Sequence, residues 1–150
     1  MKARIAFEET SKEFMDVLLK PGTYIRKSGL DPALVELIDF RVSTINGCAY
    51  CLDMHFKDAM ARGESEQRLY SLAAWRDCPY YSDKERAALA YAEAVTANEV
   101  DDFVFEELKP FFSKKEIADL TFAIATINTW NRLNRAFRTV PGGYQVGQFA

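Results

Sequence analysis

The 150-residue sequence has little of what marks several large classes of protein. Its 19 lysines and arginines are outnumbered by 22 acidic residues, and no basic stripe supports binding to nucleic acid. No apolar run approaches the roughly 18 residues of a membrane span, and the first residues lack the apolar stretch of a signal peptide. These absences predict a cytoplasmic protein that has neither a membrane nor a nucleic acid as a partner.

Cysteine and histidine are also scarce, with three cysteines and one histidine in the whole chain. A chain of this length can fold without disulfides, so the close pair Cys48 and Cys51 is interpreted as redox, catalytic or metal-binding in a reducing cytosol. A zinc ion would need Cys48, Cys51, His55 and Glu36 together. Structural zinc sites usually show a second Cys or His pair, which is missing, so we expect no metal and no other cofactor. Cys78 lies outside this pattern and is expected to be structural or exposed.

The hydrophobic pattern predicts an all-α protein, a single-domain bundle of six or seven helices over residues 1–150. No segment shows sustained period-two alternation, so we expect no sheet. The longest helix is apolar nearly all round between Ile117 and Trp130, which predicts a central buried helix or one shared with a neighbouring subunit. Stop and start signals include Pro21-Gly22, Asn46-Gly47 and two capping boxes at Ser82 and Ser113. The predicted helices cover residues 7–19, 32–45, 48–62, 65–75, 83–97, 101–111 and 114–138.

The stretch from Glu36 to His55 carries the candidate chemistry. On a helix that begins after Gly47, Cys48, Cys51 and His55 lie within about 60° of one another. Glu36 falls in an otherwise apolar helix, where a carboxylate is costly unless it is paired or working; Arg41 is one possible partner. The helix N-terminus favours a thiolate at Cys48, whereas His55, one turn away, favours Cys51, so the residues alone leave the order of the cysteines close to even.

We interpret these residues as a relay from Glu36 through His55 to Cys51, with Cys48 as the resolving thiol. Asp53 lies on another face of the same helix and is expected to be solvated. The polar run Asn128–Arg132 at the end of the long helix either lines the pocket of the proposed site, from the same or an adjacent subunit, or faces solvent at the helix end. We do not include it among the candidate catalytic residues.

The spaced pattern Glu-x11-Cys-x-x-Cys-x3-His resembles the active-site signature of the alkylhydroperoxidase-D-like branch of the carboxymuconolactone decarboxylase family. The segments 75–76, 82–96 and 122–133 resemble it too, so the likeness spans roughly residues 15–138. It implies an all-helical fold, homo-oligomers (trimers or hexamers) and peroxide reduction by the cysteine pair. By this resemblance Cys51 is the peroxidatic thiol, Cys48 resolves it, and Glu36 and His55 relay protons.

The sequence departs from that family pattern between its cysteines. The best-known peroxidases of the family place a histidine just before the second cysteine, whereas this chain has Ala49-Tyr50, so a relay group is missing or replaced by the Tyr50 hydroxyl. The lactone decarboxylases of the family lack the cysteine pair, which makes decarboxylation an unexpected activity here.

The sequence therefore predicts a thiol-dependent peroxidase that acts on hydrogen peroxide or small organic hydroperoxides and is reset by an external dithiol. It needs no metal, haem or flavin. One alternative keeps the dithiol without strong peroxidase activity, as a thiol–disulfide oxidoreductase or redox-responsive stress protein. Another is a non-enzymatic helical assembly protein whose cysteines are incidental.

Overall fold

The computed structural model of the protein describes residues 1–149 and contains no β-strand within them. Two short 3-10 helices, Phe7–Glu9 and Leu72–Asp77, accompany seven α-helices. The prediction of an all-α fold with six or seven helices is confirmed. The α-helices are α1 (Lys12–Lys27), α2 (Pro32–Asn46), α3 (Ala49–Ala61), α4 (Glu66–Ser71), α5 (Asp83–Ala97), α6 (Asp102–Glu106) and α7 (Lys114–Phe137).

Side-chain caps fix where most of the helices begin. The cap residue accepts a hydrogen bond from a backbone N–H of the first turn, and both predicted capping boxes, Ser82–Glu85 and Ser113–Glu116, are formed. At the end of α2, Gly47 has a φ of 63°, the left-handed conformation that stops a helix. The capping residues of the six helices other than α3 are Ser11, Asp31, Ser65, Ser82, Asp101 and Ser113.

The predicted first helix, 7–19 with a stop at Pro21-Gly22, is wrong at both ends. Helix α1 begins after the Ser11 cap and continues through Pro21 to Lys27. Inside a helix, proline removes one backbone hydrogen bond and its ring crowds the carbonyl four residues earlier, so Pro21 lowers the stability of α1 locally. Contacts with α7 hold the second half of α1: the Tyr24 hydroxyl donates to Asp119 at 2.7 Å, and its ring packs on Phe122. Tertiary packing thus outweighs the local stop signal.

Two shorter helices also end earlier than predicted. The helix expected over 65–75 becomes α4 followed by the 3-10 helix, with a non-helical Ala74 (φ −131°) that turns the chain so that Trp75 is buried. The helix expected to reach Phe111 ends at Glu106, where i−3 hydrogen bonds such as Leu108 N–H to Phe105 continue it as tight turns.

The main core lies between α2, α5 and α7, and a second cluster joins α2 and α3 to the segment from Leu69 to Leu89. Helix α7 is central, as predicted, since it packs against α1, α2, α3 and α5. It is not buried all round, however, because Phe122 is 42% exposed on one face, and its buried face includes the polar residues Asp119 and Asn128. That a second subunit covers the exposed face of α7 around Phe122 stays a prediction. No helix within residues 1–149 has the length and hydropathy of a membrane span.

Candidate active site

The hairpin of α2 and α3 carries all four residues of the predicted site, as two contacting pairs: Cys48 with Cys51, and Glu36 with His55. Gly47 ends α2, and the Cys48 N–H then donates to the Ser43 carbonyl at 3.0 Å, which turns the chain sharply. Cys48 becomes the N-cap of α3: its Sγ accepts the Cys51 N–H at 3.4 Å. The sequence Asn46-Gly47-Cys48 therefore sets one thiol at the first position of the helix and the other inside its first turn.

Cys48 and Cys51 lie at disulfide distance, with their Cα atoms 5.4 Å apart. Both side chains are buried, with exposed fractions of 1% and 0%. The pair is thus shielded from bulk solvent, and only a small molecule or a local opening of the chain brings a reagent to the sulfurs.

Glu36 on α2 holds the ring of His55 on α3. His55 Nδ1 and Glu36 Oε2 are 2.9 Å apart, and both side chains are largely buried. Arg41, the alternative partner for Glu36, instead contacts Glu93 at 2.7 Å. Because an ionised carboxylate only accepts hydrogen bonds, Nδ1 carries the proton and Nε2 is the basic nitrogen of the neutral ring.

The environment of His55 favours its charged form. Burial lowers the pKa of the imidazole, but the hydrogen bond to Glu36 and the negative charges of nearby carboxylates, Asp39 foremost, outweigh it and raise the pKa. Its Nε2 is buried and has no hydrogen-bond partner within residues 1–149. The His55–Cys51 link of the predicted relay is therefore not a direct hydrogen bond in this structure.

Asp39 belongs to the same cluster and was missed at the sequence level. It lies one turn after Glu36 on α2, with Oδ2 3.9 Å from His55 Nδ1, and its Oδ1 is buried without a hydrogen-bond partner among the described residues. Burial raises the pKa of Asp39 to about 7, against the partly offsetting charge of His55. The signal was present in the sequence, since i and i+3 positions of a helix share a face.

A ladder of buried amides on α7 faces the hairpin, and its last member, Asn134, lies outside the residues predicted for the site. Asn46 of α2 donates to both Asn128 and Asn131 at 2.9 Å, and Asn131 donates to Ser43 at 3.0 Å. Asn134 Nδ2 lies 3.6 Å from the Sγ of Cys51. The buried part of the run Asn128–Arg132 therefore binds α2 rather than solvating the helix end.

Three other singled-out residues lie outside the cluster. Tyr50 is half-buried; burial and the charges of Asp53 and Glu8 raise the pKa of its phenol. Asp53 is not simply solvated, because it accepts from Lys57 Nζ at 2.9 Å and from the Gly142 N–H at 3.0 Å, and so ties down the C-terminal segment. The nearest polar partner of the Cys78 thiol is the Ser71 carbonyl at 3.9 Å.

A cavity of about 360 Å³ lies beside the cluster, between the start of α2 and the end of α3. Glu36, Leu37, Ala59 and Arg62 are among its lining residues. The Glu36 carboxylate lies between the cavity and His55. Its Oε2 contacts His55, and its Oε1 lies 3.9 Å from the guanidinium of Arg62 at the cavity wall. A proton can therefore pass between this cavity and the buried imidazole through one carboxylate. Within residues 1–149, no group of three or more His, Cys, Asp or Glu side chains is arranged to hold a metal ion.

Comparison with known proteins agrees with this arrangement. The model of the carboxymuconolactone decarboxylase family matches residues 12–94. YdfG of Bacillus subtilis (strain 168), an uncharacterised protein, is 37% identical over 139 residues, which are 91% of this chain and 95% of YdfG.

Solved structures match as well. A protein of unknown function from Agrobacterium tumefaciens, described as a putative antioxidant defence protein AhpD, is 40% identical with a TM-score of 0.91 over 95% of this chain and 100% of that chain. An uncharacterised peroxidase-related protein from a Silicibacter species (24% identical, TM-score 0.81, 95% of this chain and 77% of that chain) shares the fold. Together with the cysteine pair, these likenesses support a redox role.

Proposed function

This chain belongs to the carboxymuconolactone decarboxylase family, in its alkylhydroperoxidase-D-like branch, and from that premise we propose that it is a thiol-dependent peroxidase. Its substrates are hydrogen peroxide or small organic hydroperoxides. One observation carries the proposal: a buried pair of cysteines at disulfide distance shares its hairpin with a hydrogen-bonded Glu36–His55 pair. Burial of both sulfurs favours a small oxidant over a bulky one.

The proposed cycle uses both thiols. The Cys51 thiolate attacks the terminal oxygen of the hydroperoxide and the O–O bond breaks. The leaving alkoxide, or hydroxide when the substrate is hydrogen peroxide, takes one proton to become an alcohol or water. Cys51 is then a sulfenic acid. The Cys48 thiol attacks its sulfur, a disulfide forms and water leaves. An external dithiol finally reduces this disulfide to two thiols and is itself oxidised to a disulfide.

The carboxylate and imidazole handle protons in this cycle. His55, in its charged form, holds the proton that the leaving oxygen requires, and Glu36 both orients the ring and exchanges protons with the neighbouring cavity. Because Nε2 makes no direct hydrogen bond to a sulfur, the substrate or a bridging molecule completes the path to Cys51. The reaction needs no metal, haem or flavin.

We also propose that the chain works as a homo-oligomer, a trimer or hexamer, in a reducing compartment. Exposed aromatic side chains support association, since Phe103 is 71% and Phe122 42% exposed in the single chain. A mass measurement in solution, by light scattering at several concentrations, tests this directly. A single species with the mass of one 17.1 kDa chain would contradict it.

Peroxide consumption driven by a small dithiol tests the function itself. We expect turnover in the wild-type protein, none in Cys51→Ser, and a single oxidation event without turnover in Cys48→Ser. Cys78→Ser is the matched control, because this half-buried thiol lies outside the hairpin, and it should behave as wild type. Unchanged turnover in Cys51→Ser would refute the assignment.

The same assay separates the alternative functions. Disulfide exchange without peroxide consumption would favour a thiol–disulfide oxidoreductase. This is the leading alternative because the chain has the Tyr50 phenol where the best-known peroxidases have a second imidazole. Cysteines that never oxidise under peroxide would favour an assembly protein with incidental thiols.

A further inference from the structure

The Sγ of Cys51 receives a hydrogen bond from a residue that the proposed cycle does not use. Asn134, near the end of α7 and 4% exposed, places its Nδ2 3.6 Å from that sulfur. The two residues are 83 positions apart in the chain, so only the packing of α7 on α3 brings them together.

The orientation of the Asn134 amide follows from a second contact. The same Nδ2 lies 2.9 Å from the backbone carbonyl of Trp130. A carbonyl oxygen only accepts, so the amide nitrogen and not the amide oxygen must face it. One N–H is thereby committed to Trp130 and the other is directed at Cys51.

The helix that carries this amide is held in place on the hairpin before any reaction takes place. One turn earlier on α7, Asn131 donates to Ser43 of α2 at 3.0 Å, and Asn46 joins Asn131 to Asn128. This ladder fixes the rotation of α7 relative to the hairpin. A donor that is already in place costs no reorganisation when charge develops on the sulfur.

The charge balance at Cys51 shows why such a donor matters. Burial of a thiol disfavours its thiolate, and Cys51 is fully buried. The titratable groups that this hairpin sets near it are Cys48, at disulfide distance, His55 on its own helix, and Glu36 and Asp39 on α2. His55 Nε2 makes no hydrogen bond within residues 1–149. From α7, Asn134 therefore supplies the direct side-chain donor to this sulfur.

We propose that Asn134 is a further catalytic residue, whose amide N–H stabilises the Cys51 thiolate and makes Cys51 rather than Cys48 the nucleophile. The proposal rests on the peroxidase function. It involves no proton transfer by the amide, which donates the same N–H to the sulfur before and after ionisation.

The test measures thiolate formation one cysteine at a time. In Cys48→Ser/Cys78→Ser protein only Cys51 remains, and the pH dependence of its alkylation by iodoacetamide reports the pKa of that thiol. Adding Asn134→Leu, similar in size but without a donor, should raise this pKa by about one unit. Below the pKa, alkylation should then slow by about tenfold. Asn134→Ala, which also removes the donor without adding a charge, should raise it in the same direction.

Two controls separate this role from a general loss of packing. In Cys51→Ser/Cys78→Ser protein, the same Asn134 changes should leave the alkylation of Cys48 unchanged. Thr121→Val removes a hydrogen bond between α7 and Tyr91, outside the amide ladder and away from the sulfur, and should leave the pKa of Cys51 unchanged. If Asn134→Leu does not fold by circular dichroism, the smaller Asn134→Ala, which removes the donor without adding a charge, carries the test.

Failure of this proposal is distinguishable from failure of the peroxidase function. An unchanged Cys51 pKa in a folded Asn134 variant, or equal shifts at both cysteines, overturns the role of Asn134 even if peroxide is consumed. A shift confined to Cys51 supports it even in a protein that shows no peroxide turnover, since alkylation requires no hydroperoxide.

Discussion

Replacing Asp39 with asparagine should change how the stability of this protein depends on pH. The carboxyl is largely buried beside His55, one of its oxygens has no hydrogen-bond partner within residues 1–149, and its pKa in the native state is about 7 rather than 3.8. Between these two pH values, the native protein holds a proton that the unfolded chain has already released. Raising the pH therefore destabilises the native state, because the native carboxyl must ionise in a buried site.

The size of the effect follows from this difference in bound protons. Each pH unit over which the native state binds one extra proton lowers the free energy of unfolding by about 1.36 kcal/mol. From pH 4.5 to a native pKa of about 7, the wild-type protein should lose about 3 kcal/mol that Asp39→Asn does not lose. The variant should thus gain about 3 kcal/mol relative to wild type on moving from pH 4.5 to pH 8.

Urea unfolding at both pH values measures this directly, with the disulfide kept oxidised and the protomer concentration fixed. Taking the difference between the two pH values cancels any cost of the asparagine that does not depend on pH. Asp16→Asn is the matched control, since Asp16 forms an exposed ion pair with Lys12 and should contribute little at either pH. A variant whose stability relative to wild type is the same at pH 4.5 and pH 8 would refute the reasoning.

Two further changes test other contacts of the hairpin. Glu36→Gln should lower the pKa of His55 because it removes the charged acceptor of its Nδ1–H. NMR measures this pKa directly, since the chain has only one histidine to titrate. An unchanged titration would contradict the pairing of Glu36 with His55. Tyr144→Phe removes a hydroxyl 2.8 Å from the Asp58 carboxylate and should cost about 2 kcal/mol of stability. It should also expose the segment 139–149 to proteolysis, and equal cleavage in wild type and variant would count against that role.

Local sequence signals predicted the features of the fold that local physics controls. A Ser or Asp cap and a Glu three residues later fix a helix start within a single turn, so the starts at Asp83 and Lys114 were predicted correctly. Pro21 misled the prediction because its cost is local, whereas the contacts that keep α1 helical come from α7. The Tyr24–Asp119 hydrogen bond, for example, joins residues 95 positions apart.

The same distinction applies to the candidate site. Glu36, Cys48, Cys51 and His55 could be named from spacing, because one hairpin carries them all. Asp39 was within reach of the same reasoning, as it shares a helix face with Glu36. Asn134 was not, since nothing in the sequence near it states which face of α7 meets α3. Their roles in catalysis stay predictions that the proposed variants test.

The residues alone left the choice of nucleophile between the two thiols close to even, and the contacts of the two sulfurs support the proposal that Cys51 is the nucleophile. Each sulfur receives one N–H: Cys48 from the backbone of Cys51 at 3.4 Å, and Cys51 from the side chain of Asn134 at 3.6 Å. A backbone N–H that donates to the cap side chain is a general feature of helix N-termini. It therefore adds no stabilisation of a Cys48 thiolate beyond the one already expected from the helix N-terminus. The amide comes from another helix and is positioned by contacts of its own. With His55 one turn from Cys51 and nearly two from Cys48, both side chains that distinguish the sulfurs favour Cys51.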